Sequence, residues 1–221
     1  TLGGGDIQWM TAGSGIIHQE MPHGDTQGAM HGFQLWANLP SSQKMTTPRY
    51  QDIKSAEISE LHDDDDSKIR VIAGNYRGYS GPVDGIAADP QYLDITLPPR
   101  CFKKFPFDTR RQGFAYIFEG SARFEDASNP FGVNVEKEFL GEELKIRDMS
   151  GNRTLVVFGG GDEVTVTSGD HGVRFLLISG APLREPVAWH GPIVMNTQAE
   201  LQTAMRELNN GTFIKTGAAG W

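Results

Sequence analysis

An imidazole and a carboxylate two residues apart, His18 and Glu20, are the side chains of this chain best placed for chemistry. If Ile16 to Glu20 is a β-strand, the two point to one face and can converge on a single ion. Imidazole and carboxylate are the donors of mononuclear iron sites of the 2-His-1-carboxylate kind, which keep open coordination positions. Such a site needs at least one more histidine, and none precedes His18 in the sequence. A His-x-Glu pair on a strand is otherwise a polar pair on a solvated face. The sequence opens at Thr1-Leu-Gly-Gly-Gly without an initiator methionine, and further upstream sequence is expected.

The other candidate residues invite plainer readings. His23 lies in a Gly/Asp-rich loop and His31 precedes a strand, so exposure and a backbone or capping hydrogen bond are expected. His171 reads as a solvated turn residue. Asp63 to Asp66 repel one another and are expected at an exposed loop tip, without the ligand spacing of a calcium loop. Gly159-Gly-Gly-Asp162 lacks the Lys-Ser/Thr of a phosphate loop and reads as a tight turn. Cys101, the single cysteine, can form no intramolecular disulfide; this fits a reducing compartment and a small buried side chain.

The elements that must position these residues are mainly strands. After a turn at Gly13 to Gly15 and the strand Ile16 to Glu20, a polar loop runs from Pro22 to Gly28. Gly32 to Leu39 alternates apolar and polar, with Phe33, Leu35 and Ala37 on one face and Gln34 and Trp36 on the other. With Trp9 and Met10, these aromatics could wall a pocket or fill a barrel core. Pro40 to Tyr50 reads as a crossing loop. Further strands are expected at Ile69 to Ala73, Tyr92 to Leu97, Gly113 to Phe118, Ala122 to Phe124, Thr154 to Phe158, Glu163 to Thr167 and Val173 to Ile178. Gly74 to Asp89 is expected to be an irregular loop, and Glu119-Gly120 and Ser168 to Asp170 to be turns. One helix is expected near 197–209: Thr197 and Glu200 match a capping box, Leu201, Met205 and Leu208 share a face, and Gly211 ends it.

Composition supports an all-β reading. The 27 glycines and 12 prolines among 221 residues are scattered between short apolar stretches, as turns would be. A formal charge of −8 offers no electrostatic footprint for a phosphate backbone, so direct nucleic-acid binding is not expected. With no run of eighteen apolar residues, a membrane helix is not expected either.

The run from Gly4-Gly-Asp6 through Ala12-Gly-Ser-Gly15 to His18-Gln-Glu20 resembles the second conserved motif of the cupin barrel, in the form typical of the pirin family. Gln34-Leu-Trp-Ala-Asn-Leu39, Lys44-Met45 and Pro48-Arg-Tyr-Gln51 agree with it. So do Gly180-Ala-Pro-Leu-Arg-Glu-Pro186, His190-Gly-Pro192 and Met195-Asn-Thr197. The resemblance implies an all-β tandem of cupin (jelly-roll type) barrels with a short C-terminal helix. Residues 1–50 would be the remainder of an N-terminal barrel, 51–180 the C-terminal barrel, and 181–221 a segment packing back. Arg184 and Glu185 are expected to tie that segment down.

The resemblance further implies an iron or other divalent transition-metal centre of three histidines and one glutamate. His18 and Glu20 match that pattern, and two further histidines are expected upstream. Glu20 would also be catalytic, accepting a proton from a flavonol such as quercetin beside dioxygen. The alternative is a redox-sensitive regulator that binds a protein partner, in the cytoplasm or, in a eukaryote, the nucleus. Phe114-Ala-Tyr116 replaces His-x-His in the second barrel, which is expected to hold no metal.

Overall fold

The computed structural model describes residues 2–125, 134–136 and 149–215, with the backbone alone for 134–136. The fold is all-β with one C-terminal α-helix. Residues up to Ile7 with Asp52–Pro182 form one compact unit, and Gln8–Gln51 with the chain from Leu183 form another. Strands β1 (Ile7–Thr11) and β2 (Arg49–Ile53) pair with each other.

The first unit is built on β3 (Ser59–His62), β4 (Lys68–Ala73), a small hairpin of β5 (Asn75–Tyr76) and β6 (Tyr79–Ser80), β7 (Gln91–Leu97), β8 (Phe102–Pro106), β9 (Gln112–Glu125), β10 (Asn134–Glu136), β11 (Ser150–Gly151), β12 (Thr154–Val157) and β13 (Glu163–Gly180). Its main sheet runs β10-β12-β9-β13-β7-β4-β3, with β11 also on β9 and β8 on β13. Side chains alternate across each strand, so the register decides what meets inside. Leu93 opposes Leu177 and Val71, and Ile95 opposes Phe175 and Ile69. All six are essentially excluded from water. Each such burial favours folding by about 1.5–3 kcal/mol.

Through this core runs an unbroken series of rings. Tyr76, Phe105, Phe175, Phe124, Phe158 and Phe107 follow one another at centroid separations of 5.6–6.2 Å, mostly edge to face. That geometry is the one aromatic quadrupoles favour. The interior is therefore filled by protein.

Several expectations are corrected here. Gly113 to Phe118 and Ala122 to Phe124 are one strand, and so are Glu163 to Thr167 and Val173 to Ile178. The intervening turn residues make a bulge: the register jumps between Ser168 and Val173. Gly120 there has φ +71°, and a Cβ on it would lie 2.2 Å from the Gly172 carbonyl oxygen, so only glycine fits. Gly74 to Asp89 carries the β5–β6 hairpin rather than being wholly irregular. Strand β8 forms where no strand was expected.

The acidic run sits at a loop tip as expected, but two of its carboxylates are paired rather than self-repelling. Lys103 Nζ sits 2.6 Å from Asp63 Oδ2 and 2.7 Å from Asp65 Oδ2, with its side chain only 9% exposed. Arg77 donates to both oxygens of Asp63. Asp64, Asp65 and Asp66 are exposed at the β3–β4 turn, as expected of a loop tip, and only Asp63 is half-buried. The hydrogen bond from Lys103 holds the Asp63 carboxyl below its usual range. Burial pushes Asp65 up, but Lys103 and Ser67 outweigh it, and Asp65 too is held low. Cys101 is buried as expected, with its thiol against Asp65 and Ser67; burial pushes that thiol up.

In the second unit, β14 (Ala188–His190) pairs with β15 (Ile193–Met195), and α1 (Gln198–Asn209) follows. The helix is capped as its sequence indicates: Thr197 Oγ1 accepts from the Glu200 amide at 3.2 Å, and Glu200 Oε2 accepts from the Thr197 amide at 2.8 Å. Leu201 and Ala204 pack on Ala188 and Ile193, joined by Met205. Leu208, expected on that face, is exposed instead.

Candidate metal centre

The segment that carries His18 and Glu20 starts from a docked turn. The Ser14 amide donates to the Thr46 carbonyl at 2.8 Å, and Gly15 N–H to Ala12 O at 2.9 Å. A Cβ at Gly13 would stand 2.2 Å from Thr46 O, and one at Gly15 2.7 Å from the Phe213 ring, so both glycines are sterically required. From the other side, Glu185 accepts from the Ser41 amide at 2.7 Å, the Ser41 hydroxyl at 3.1 Å and Asn196 Nδ2 at 3.0 Å. Glu185 thus holds the C-terminal segment through hydrogen bonds, where a structural ion pair was expected of Arg184 and Glu185. Lys44, 7% exposed, donates to Asn38 Oδ1; burial lowers its pKa against the pull of Glu185 and Glu200.

Beyond Gly15 the chain departs from the expected strands. Neither Ile16 to Glu20 nor Gly32 to Leu39 joins a sheet ladder. The two arms nevertheless face each other. Asp25 N–H donates to Ala29 O at 2.8 Å, and Asp25 Oδ1 accepts from the Gln27 and Ala29 amides, a side-chain-closed turn. Further out, Gln34 Nε2 meets Glu20 Oε1 at 3.5 Å. One contact lies at the turn and the other joins two side chains, so the arms approach each other without a backbone ladder. Alternation in the sequence reports a period of two, and a lone two-stranded hairpin is too marginal to hold a regular ladder.

Along this ribbon His18 and Glu20 are both exposed, as are Ile17, Met21, Met30, Phe33 and Trp36 at 45–74%. Phe33 and Trp36 therefore form neither a core nor a closed pocket wall. Among the described residues, no three His, Cys, Asp or Glu side chains gather to hold a metal ion. Two donors in water do not fit a tightly bound transition metal, which takes at least three protein ligands and a shaped, drier cavity.

The first unit supplies no substitute. Its cleft of about 750 Å³ is lined by Asn75, Asp84, Gln91, Asp89, Asp108 and Arg111 among others. There the Arg111 guanidinium is held by the Asp89 carbonyl and carboxylate, with Asp108 3.8 Å away and itself paired with Arg110, so these four charges neutralise one another. Sequence reading passed over that ion cluster, whose signal was the spacing of acids around two proline-bearing loops. Gly159 to Asp162 is the connection into β13, as expected of a turn, and the Asp162 carbonyl accepts from the Phe107 amide at 2.7 Å. His171 is exposed. No helix among the described residues is long and apolar enough to cross a membrane.

Comparison with known proteins places this geometry. Residues 92–214 match the pirin C-terminal cupin domain, and residues 1–37 match Pirin. A pirin-like protein of Caulobacter vibrioides is 37% identical over 96% of this chain and 69% of its own length. Human pirin is 37% identical over 93% of this chain, which spans 64% of it. Among solved structures, a quercetin 2,3-dioxygenase from Acinetobacter baumannii superposes with a TM-score of 0.72 at 29% identity, covering 95% of this chain and 67% of that one.

Proposed function

The chain belongs to the pirin family, and from that premise we propose that it acts in the oxygenation of a flavonol such as quercetin, with His18 and Glu20 as ligands of an iron centre. The observation that carries this reading is the likeness to the Acinetobacter quercetin 2,3-dioxygenase across nearly the whole chain. The described residues do not complete a metal site. The reading therefore requires further imidazole donors beyond them, and iron, or another divalent transition metal, would supply dioxygen chemistry there. Of this chain's own groups, Glu20 is the base. Its carboxylate accepts the flavonol hydroxyl proton, and Gln34, against Glu20 Oε1, orients it.

Aerobic incubation of iron-loaded protein with quercetin, following loss of the long-wavelength absorbance and release of carbon monoxide, tests the reading. Turnover above that of free iron is expected, lowered roughly 100-fold or more by Glu20→Gln. Turnover equal to free iron contradicts it.

A second reading, a redox-sensitive regulator in the cytoplasm or nucleus that binds a protein partner, is favoured by the exposure of Ile17, Met21, Phe33 and Trp36. Capture of identical partners by apo, ferrous and ferric protein counts against it.

A further inference from the structure

The chain holds two kinds of sulfur, and the fold treats them in opposite ways. Cys101, the single cysteine, is buried against Ser67 and Asp65, and burial pushes its thiol up, so the thiolate that reacts with peroxides is suppressed. A structural thiol of this kind is inert. A thioether has no proton to lose, so access to solvent governs its oxidation. Of the seven methionines, Met21 is 74% and Met30 65% exposed, ahead of Met45 and Met149. Met10, Met195 and Met205 are half-buried, the last two against Ala188, Ile193, Leu201 and Ala204. The two most exposed thioethers also share one segment. Met30 follows directly on the turn that Asp25 closes through the Gln27 and Ala29 amides, and Met21 lies just before it. Ile17, Phe33 and Trp36 of the same segment are exposed as well.

We propose that Met21 and Met30 are the redox-active sulfurs of this chain, sites of reversible oxidation by hydrogen peroxide to methionine sulfoxide. In that step the thioether sulfur attacks one peroxide oxygen, the O–O bond breaks, an S–O bond forms and the other oxygen leaves as water. Sulfur loses the two electrons that the peroxide gains. A sulfoxide reductase returns the thioether, while two thiols of the reductant become a disulfide and water is released. Methionine is the adaptable apolar residue of many binding surfaces, and its sulfoxide is polar. Oxidation of Met21 and Met30 therefore makes an apolar surface polar, and the aromatic core around Phe175 is untouched. The sites share no residue with the His18/Glu20 pair and stand whether or not the protein oxygenates flavonols.

The test is treatment of the 221-residue chain with hydrogen peroxide, quenched at intervals and followed by peptide-mapping mass spectrometry. Each sulfoxide adds about 16 Da, and Met21 and Met30 should gain it before Met10, Met195 and Met205, with Cys101 unmodified. Fluorescence of the apolar dye bis-ANS should fall as they oxidise. It should recover after treatment with the two methionine sulfoxide reductases that act on the two epimers. Met21→Leu combined with Met30→Leu keeps the apolar surface without its sulfur, so the dye signal of that variant should hold under the same peroxide. Oxidation of Cys101 ahead of both methionines overturns the proposal. So does a rate at Met21 and Met30 no higher than at Met195 and Met205, or a dye signal that falls equally in the double variant.

Discussion

The β3–β13 unit and the ribbon from Ile16 to Trp36 contain the same chemically versatile residue types and use them in opposite ways. In the first, charge is spent on structure: Lys103 is enclosed by Asp63 and Asp65, and Arg174 grips Asp94 through two hydrogen bonds on neighbouring strands. Its interior, where a barrel could hold a ligand, is occupied by a series of aromatic rings. In the ribbon, imidazoles, a carboxylate and thioethers stand in water on a backbone that no sheet stabilises. Substitutions in the first region should therefore change stability, and substitutions in the second should change chemistry.

The largest effect tests the filled interior. Phe175 is 0% exposed and touches the rings of Phe105 and Phe124, so Phe175→Ala should cost about 3–5 kcal/mol in denaturant unfolding. A loss below about 1 kcal/mol would mean the interior can hold water or a ligand after all. Next is Lys103→Met, which strips two carboxylates of their cation; about 2 kcal/mol is expected, because Asp65 is partly exposed and Asp63 keeps Arg77.

The same cluster sets an acid limb. Both carboxyls are held low in the folded state, so their contribution is full above the unfolded value near 4 and fades as pH falls below it. In Lys103→Met, the decline in melting temperature below about pH 4 should flatten. On the alkaline side, burial pushes the Tyr92 phenol up to about 12, with the Asp94 charge adding to it. Because the folded value is raised, the stability it contributes is whole below the unfolded value near 10 and is lost as pH rises towards 12. Tyr92→Phe should remove that loss. Smaller still, Thr197→Ala should cost about 1 kcal/mol through the helix cap. Smallest of all, His18→Ala should stay within about 0.5 kcal/mol of wild type, as an exposed site.

What the sequence revealed followed the strength of local signals. Thr197 and Glu200 announced a helix start because a capping box is a contact between near neighbours. Tyr92 to Leu97 was legible because Leu93, Ile95 and Leu97 alternate with Tyr92, Asp94 and Thr96, the period of a strand. The two long strands were read as four, since Gly120 and Gly172 are turn residues by type and become bulge residues only through each other. Asp63 and Asp65 looked self-repelling because Lys103 lies some forty residues away along the chain. The candidate site was legible as residue types. That His18 and Glu20 sit on an open ribbon was not, because alternation reports a period of two and not whether a neighbouring strand completes the ladder.

The central claim is that the metal chemistry belongs to the ribbon and not to the filled interior. Calorimetric titration of ferrous iron into wild type, His18→Ala, Glu20→Gln and Lys103→Met under anaerobic conditions tests it most directly. The account predicts a weak wild-type isotherm that disappears in His18→Ala and Glu20→Gln and persists in Lys103→Met. Iron binding unchanged by His18→Ala, or abolished only by Lys103→Met, would contradict it.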